Sequence, residues 1–213
     1  MRLTIFDLDR TLLKTNVSFK FYFYLYKNKI FSKRSIFKQI YFLICYRYFN
    51  MSLQSLHEVT FNTFLKNKSY DDIKRHVNVF LDKYLVKLFY MPAVLRLQKA
   101  ISENHYITIY SSSPFFLVGP IADLLKVNEY KSSLYSLNNH NKFEKIKLIL
   151  DGEKKASYAL ELMKKLNISK EEVYVYSDSI EDLSLFEISG NKIAVQPGKS
   201  LKKIFIENGW EII

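Results

Sequence analysis

Leu3-Thr4-Ile5-Phe6-Asp7-Leu8-Asp9-Arg10-Thr11-Leu12 is the stretch from which the fold can be read. Its first four residues are short, apolar and partly β-branched, which predicts a buried strand over Leu3–Phe6. The strand runs straight into Asp7 and Asp9, two residues apart, whose side chains point the same way if the backbone stays extended. Two carboxylates that close repel one another unless a cation or a shared proton offsets the repulsion. A solvated acidic turn would also carry a bare Asp-x-Asp. The apolar strand before this pair and the Thr11-Leu12 after it argue against that reading.

Working outward, residues 14–90 contain no glycine or proline and read as a mostly helical segment, ending at Met91-Pro92. From there strands and helices alternate. Helices are predicted at Ala93–Asn104, Pro114–Leu125, Gly152–Leu166 and Ile180–Ile188, and strands at Tyr106–Tyr110, Val173–Tyr176, Ile193–Val195 and Trp210–Ile213. Ser132–Leu150 reads as a hairpin turning at Asn138–Asn141. Such alternation predicts an α/β fold, a doubly wound, Rossmann-like parallel sheet. The core would comprise 1–13 and 91–213, with 14–90 inserted as a helical cap.

With 213 residues, 48% of them hydrophobic, the chain can close a sizeable core. Its single cysteine, Cys45, excludes an internal disulfide framework and a cysteine-cluster metal site, and is expected to be buried and inert. Asp7 and Asp9 interrupt the place where a secretory h-region would run, so a cytoplasmic protein is expected. The formal charge is +11, and it is unevenly spread. Residues 14–90 hold 14 Lys/Arg against 4 Asp/Glu, and no acid stands between Asp9 and Glu58. An A/T-rich coding sequence would enrich Lys, Asn, Ile, Phe and Tyr, but it would not concentrate the charge in one segment. A basic stretch interleaved with Phe21, Tyr22, Phe37 and Tyr41 attracts anions.

Three more loops carry candidate chemistry. Tyr110-Ser111-Ser112-Ser113-Pro114 ends a strand in hydroxyls, and a proline-started helix after it would offer free amides to an anion. In the helix after Gly152, Ala156, Ala159, Leu160 and Met163 form an apolar stripe. Lys155 flanks that stripe and can lean over the sheet edge, whereas Lys154 faces solvent. Tyr176-Ser177-Asp178 ends another strand, and Asp182 follows in the first turn of a helix, where an acid also suits the helix dipole. The four histidines, His57, His76, His105 and His140, have no ligand spacing.

In this order and in these positions, FDLDRTL, YSSSP, Lys155 and YSDSIEDLSLF resemble the four motifs of the haloacid dehalogenase-like superfamily, in its phosphoserine-phosphatase-like branch with a helical cap between the first two motifs. The tail, Ile193–Ile213, is also similar, including its Gly209-Trp210. The resemblance implies an Mg²⁺-dependent phosphomonoester hydrolase. Asp7 would be the nucleophile and Asp9 the general acid and base. Ser111, the Ser112 amide and Lys155 would bind the phosphoryl oxygens. Asp7, Asp178 and the Asp9 carbonyl would hold the metal, with Asp182 in support. Arg10 stands where the family most often has Gly, and Ser112-Ser113 replaces the Gly-Gly of true phosphoserine phosphatases.

The expected substrate is a small phosphorylated metabolite. The alternative is a lipid phosphate, because the basic, aromatic cap vaguely resembles that of phosphatidylglycerophosphatase-like members and could touch the inner face of a membrane peripherally. A non-enzymatic polyanion-binding protein is the alternative of another class. No nucleic-acid motif is present, and none is expected as partner.

Overall fold

A computed structural model describes residues 1–213, with every side chain apart from that of Arg47. Seven strands form one sheet in the order β4-β3-β2-β1-β5-β6-β7. They are β1 (Leu3–Phe6), β2 (Tyr106–Pro114), β3 (Glu129–Leu137), β4 (Phe143–Leu148), β5 (Val173–Ser177), β6 (Asn191–Ala194) and β7 (Glu211–Ile212). All neighbours pair in parallel except β3 and β4, the predicted hairpin. The fold is the doubly wound α/β architecture expected from the alternation of elements. The chain goes from β1 to β2 on one side and later returns to β5 on the other. The strand order therefore reverses at β1, and a crevice opens beyond the carboxyl ends of β1, β2 and β5.

Both faces of the sheet are covered, which is why its central strands are buried over most of their length and largely apolar. Alternation decides which side chain faces which layer. Leu3 and Ile5 of β1 join Tyr110, Val173 and Val175 on one face, against α7 (Gly152–Leu166), α8 (Leu183–Glu187) and α9 (Lys199–Glu207). Phe6, Ile107, Ile109 and Tyr176 face the other way, against α5 (Met91–Ser102) and α6 (Phe115–Leu125).

Between β1 and α5 lie α1 (Val17–Lys27), α2 (Lys33–Tyr48), α3 (Leu53–Phe64) and α4 (Tyr70–Leu88). Asn16, Ser32, Ser52 and Ser69 each accept a backbone N–H three residues on, so short polar caps start all four helices. The segment leaves and rejoins the sheet at adjacent points: Lys14 N donates to Leu88 O and Tyr90 N to Leu12 O. It does not close a core of its own. Phe21, Phe61, Phe64 and Phe80 share one apolar cluster with Phe116, Tyr135 and Phe143 of α6, β3 and β4. Among the described residues no helix is long and apolar enough to cross a membrane.

Several local expectations need correction. β2 runs on to Pro114, so Pro114 caps α6 instead of opening it. The predicted helix Ile180–Ile188 is a single 3-10 turn, Ile180–Asp182, followed by the short α8. α9 was not foreseen. On α7 the buried face is Gly152, Lys155, Ala156, Ala159 and Leu162, while Leu160 is exposed, so Lys155 lies within the buried stripe and not beside it. Cys45 is half-buried.

Candidate active site

The crevice beyond β1, β2 and β5 opens into a cleft of about 1320 Å³. Its floor comes from three loops and one helix. β1 delivers Asp7, whose N–H donates to Tyr176 O at 2.8 Å, locking the start of the acidic loop against β5. The chain then makes one tight π-type turn, Leu8–Leu12, which brings Asp9 back over the same hollow. Inside that turn Arg10 adopts φ 59°, ψ 7°, the left-handed region that favours glycine.

Lys155 comes from the first turn of α7 and is 3% exposed. Its Nζ donates to Asp7 Oδ1 at 2.7 Å and to Asp182 Oδ2 at 2.9 Å. Asp182 Oδ2 also accepts the Ser177 hydroxyl at 2.5 Å. Gly152 makes this approach possible. A Cβ there would sit 1.7 Å from the Glu181 carbonyl oxygen, so only glycine lets α7 pack against the backbone that carries Asp182. Lys154, one residue away, is exposed and pairs with Asp151.

Asp9 is fixed at both oxygens. Oδ1 accepts the N–H of Val17, the first residue of α1, at 2.6 Å, and Oδ2 accepts the Ser113 hydroxyl at 2.6 Å. The Ser111 hydroxyl is 3.5 Å from the same Oδ2 and accepts the Ser113 N–H at 3.1 Å. Ser111 is fully buried, whereas Ser112 and Ser113 line the cleft. The Ser112 hydroxyl is turned away, donating to Leu150 O. Asp178 lines the cleft beside Arg10.

Burial pushes the Asp7 carboxyl well above its usual range; Lys155 opposes the shift, and Asp182, Asp178 and Asp9 add to it. Burial likewise raises Asp9, against its hydrogen bonds from Ser113 and Val17. Asp178 is pushed up to about 7 by burial, with Arg10 pulling it back and Asp182 raising it further. Burial works against the Lys155 ammonium, but Asp182 and Asp7 outweigh it and hold the proton on. Four carboxylates thus face one buried ammonium, and the floor is short of positive charge.

That deficit fits a divalent cation. Among the described residues no three His, Cys, Asp or Glu side chains form a cage by themselves. The donors on hand are the Asp7 and Asp178 carboxylates and backbone carbonyls. Mg²⁺ is commonly held by one or two carboxylates, with waters and substrate phosphate completing its shell.

Sequence reasoning missed two residues here. Ser113 grips Asp9 and also meets the Ser18 hydroxyl of α1 at 2.8 Å; the resemblance gave roles to its neighbours Ser111 and Ser112 and none to Ser113. His57 lines the cleft with its Nδ1 2.8 Å from the Tyr135 hydroxyl, and burial lowers it to about 4, so it is neutral near pH 7.

A family model for haloacid dehalogenase-like hydrolases matches residues 4–187, from β1 through the loop that carries Asp178 and Asp182. The chain belongs to this family. A probable phosphatase of Mycobacterium tuberculosis is 29% identical over 107 residues, half of this chain and 37% of that protein, so the match spans little more than a third of the relative's length. Among solved structures of the same fold, a protein of unknown function from Bordetella pertussis superposes with a TM-score of 0.89 at 19% identity, covering 100% of this chain and 97% of that one. A phospho-aspartyl intermediate analogue of phosphoserine phosphatase superposes with a TM-score of 0.71 at 15% identity, covering 99% and 91%. In this haloacid dehalogenase-like chain the matched region holds every carboxylate of the cleft floor.

Proposed function

We propose that the chain is a phosphomonoester hydrolase working through an aspartyl phosphate on Asp7. One observation carries the reading: Asp7 is a buried carboxylate at the floor of a solvent-reached cleft, held in place by the Lys155 ammonium at 2.7 Å. A free Asp7 oxygen attacks phosphorus in line; the Asp7 Oδ–P bond forms as the ester P–O bond breaks. Asp9, whose raised pKa suits it to carry a proton, donates that proton to the leaving alkoxide. Water then attacks the acyl phosphate, Asp9 takes up the water's proton, and inorganic phosphate leaves with Asp7 restored.

Lys155 stays protonated and balances charge on the phosphoryl oxygens, while Asp182 fixes its position. The Ser112 amide offers a further donor at the cleft wall. In this reading Ser111 reaches the phosphoryl group only by turning from Asp9, and otherwise positions Asp9 and Ser113. Mg²⁺, held by Asp7, Asp178 and the Asp9 carbonyl, would neutralise phosphoryl charge when bound. The matched relative's description as a probable phosphatase and the phosphoserine phosphatase fold support the reading. A polyanion-binding role would leave the buried Asp7–Lys155–Asp182 cluster without a use.

Asp7→Asn is isosteric and keeps a partner for Lys155. It is expected to abolish Mg²⁺-dependent hydrolysis of p-nitrophenyl phosphate while unfolding remains cooperative. Retained hydrolysis in that variant contradicts the proposal.

A further inference from the structure

The charges of the cleft all lie on its floor and rim. Asp7, Asp9, Arg10, Lys155, Asp178, Glu181, Asp182 and Lys199 come from the sheet loops and their helices. Across from them α1, α2, α3 and the link between α2 and α3 contribute, among the described residues, only uncharged side chains: the apolar Phe19, Leu43, Met51 and Leu56 are interspersed with the polar Gln39 and Thr60, and His57 is neutral. A substrate alcohol bearing a carboxylate or an ammonium would meet no opposite charge on this wall, and burying an ion without one is costly.

The wall does not stop at the cleft mouth. Ile40 and Ile44 line the cleft and are also exposed, 41% and 44% respectively. On the same face of α2 stand Phe37 and Tyr41, exposed by 68% and 61%. Spacings of three and four residues put all four on one stripe. Exposed Lys33, Arg34 and Lys38 flank it, and the first acid after Asp9 is Glu58, on α3. An apolar helical stripe edged with cations and free of acids is complementary to an anionic lipid surface.

We infer that the cleft takes the phosphomonoester of an apolar, otherwise uncharged amphiphile, which enters past the outer face of α2 while that face rests on an anionic bilayer. The choice of a phosphomonoester rests on the phosphatase reading; the uncharged wall and the docking face do not.

Two measurements on the full chain test it. With soluble n-alkyl phosphates, kcat/KM is expected to climb with chain length, by up to about fourfold per methylene where the chain is fully buried, and phosphoserine is expected to be the poorest substrate. A flat series, or faster turnover of phosphoserine, overturns the inference. In flotation, the protein is expected to bind vesicles of phosphatidylcholine mixed with phosphatidylglycerol, to release them at high salt, and to ignore pure phosphatidylcholine. Phe37→Glu/Tyr41→Glu should cut binding at least roughly tenfold and leave p-nitrophenyl phosphate hydrolysis unchanged. Equal binding to both vesicles, binding to neither, or a wild-type dimer that this double variant dissociates overturns it. Hydrolysis of p-nitrophenyl phosphate reports on the phosphatase reading separately, so the two can fail independently.

Discussion

Arg10 occupies a backbone conformation that costs an L-residue about 1 kcal/mol or more, in a turn where the family most often has glycine. Its guanidinium offsets part of the rise at Asp178, so the strain and the charge act in opposite directions. Arg10→Gly is therefore expected to stabilise the fold by about 1 kcal/mol, read as a higher thermal midpoint, while shifting Asp178 ionisation to higher pH. Asp178 itself makes a signed prediction. Its folded pKa of about 7 lies above the ordinary 3.8, so the folded chain holds that proton more tightly than the unfolded chain. Stability is full below the ordinary value and falls as pH rises toward 7. In EDTA the thermal midpoint should drop between mildly acidic and neutral pH, the drop should shrink in Asp178→Asn, and Mg²⁺ should raise the midpoint more above pH 7 than below it. A midpoint indifferent to Mg²⁺ at every pH would count against a metal at this carboxylate. At this scale the charged residues were legible, because carboxylates at strand ends have few other uses. Ser113 and His57 were not, because their roles depend on which neighbours the fold brings to them.

The position of α7 decides whether Lys155 reaches the floor. Gly152 has no room for a side chain against the Glu181 carbonyl, so Gly152→Ala must push α7 from the Asp182 loop. The expected cost is about 1–3 kcal/mol of stability, with a fall in kcat as Lys155 withdraws from Asp7 and Asp182. An alanine variant with unchanged thermal midpoint and activity would refute that view of the contact. The sequence stripe placed the apolar face of α7 nearly correctly but counted Leu160 as core, because periodicity cannot weigh a buried lysine whose partners lie on another element. The helical segment between β1 and α5 was legible as helical from its lack of glycine and proline. Its division into four helices was carried by Ser32, Ser52 and Ser69 as caps, a weaker signal than a glycine or proline break. The short α8 and the two-residue β7 show the same limit: their length is set by packing against the sheet, not by local pattern.

Over the whole molecule the strand order explains why residues from four distant stretches meet. β1, β2 and β5 are neighbours with their carboxyl ends at one edge, and α7 feeds its first turn to the same edge. The parallel core was legible from strand–helix alternation because parallel strands need helical crossovers. The shared core between the inserted helices and α6, β3 and β4 was not, since it depends on aromatic contacts such as Phe61 with Tyr135 at 5.1 Å that no local pattern encodes. The central claim is covalent chemistry at Asp7. The most direct measurement is to quench the enzyme in acid during turnover of p-nitrophenyl phosphate with Mg²⁺, reduce any acyl phosphate with borohydride, and map the peptides. The account predicts homoserine at position 7 and nowhere else, absent when substrate is omitted. An unmodified Asp7 under full turnover, or a label on another residue, would contradict it.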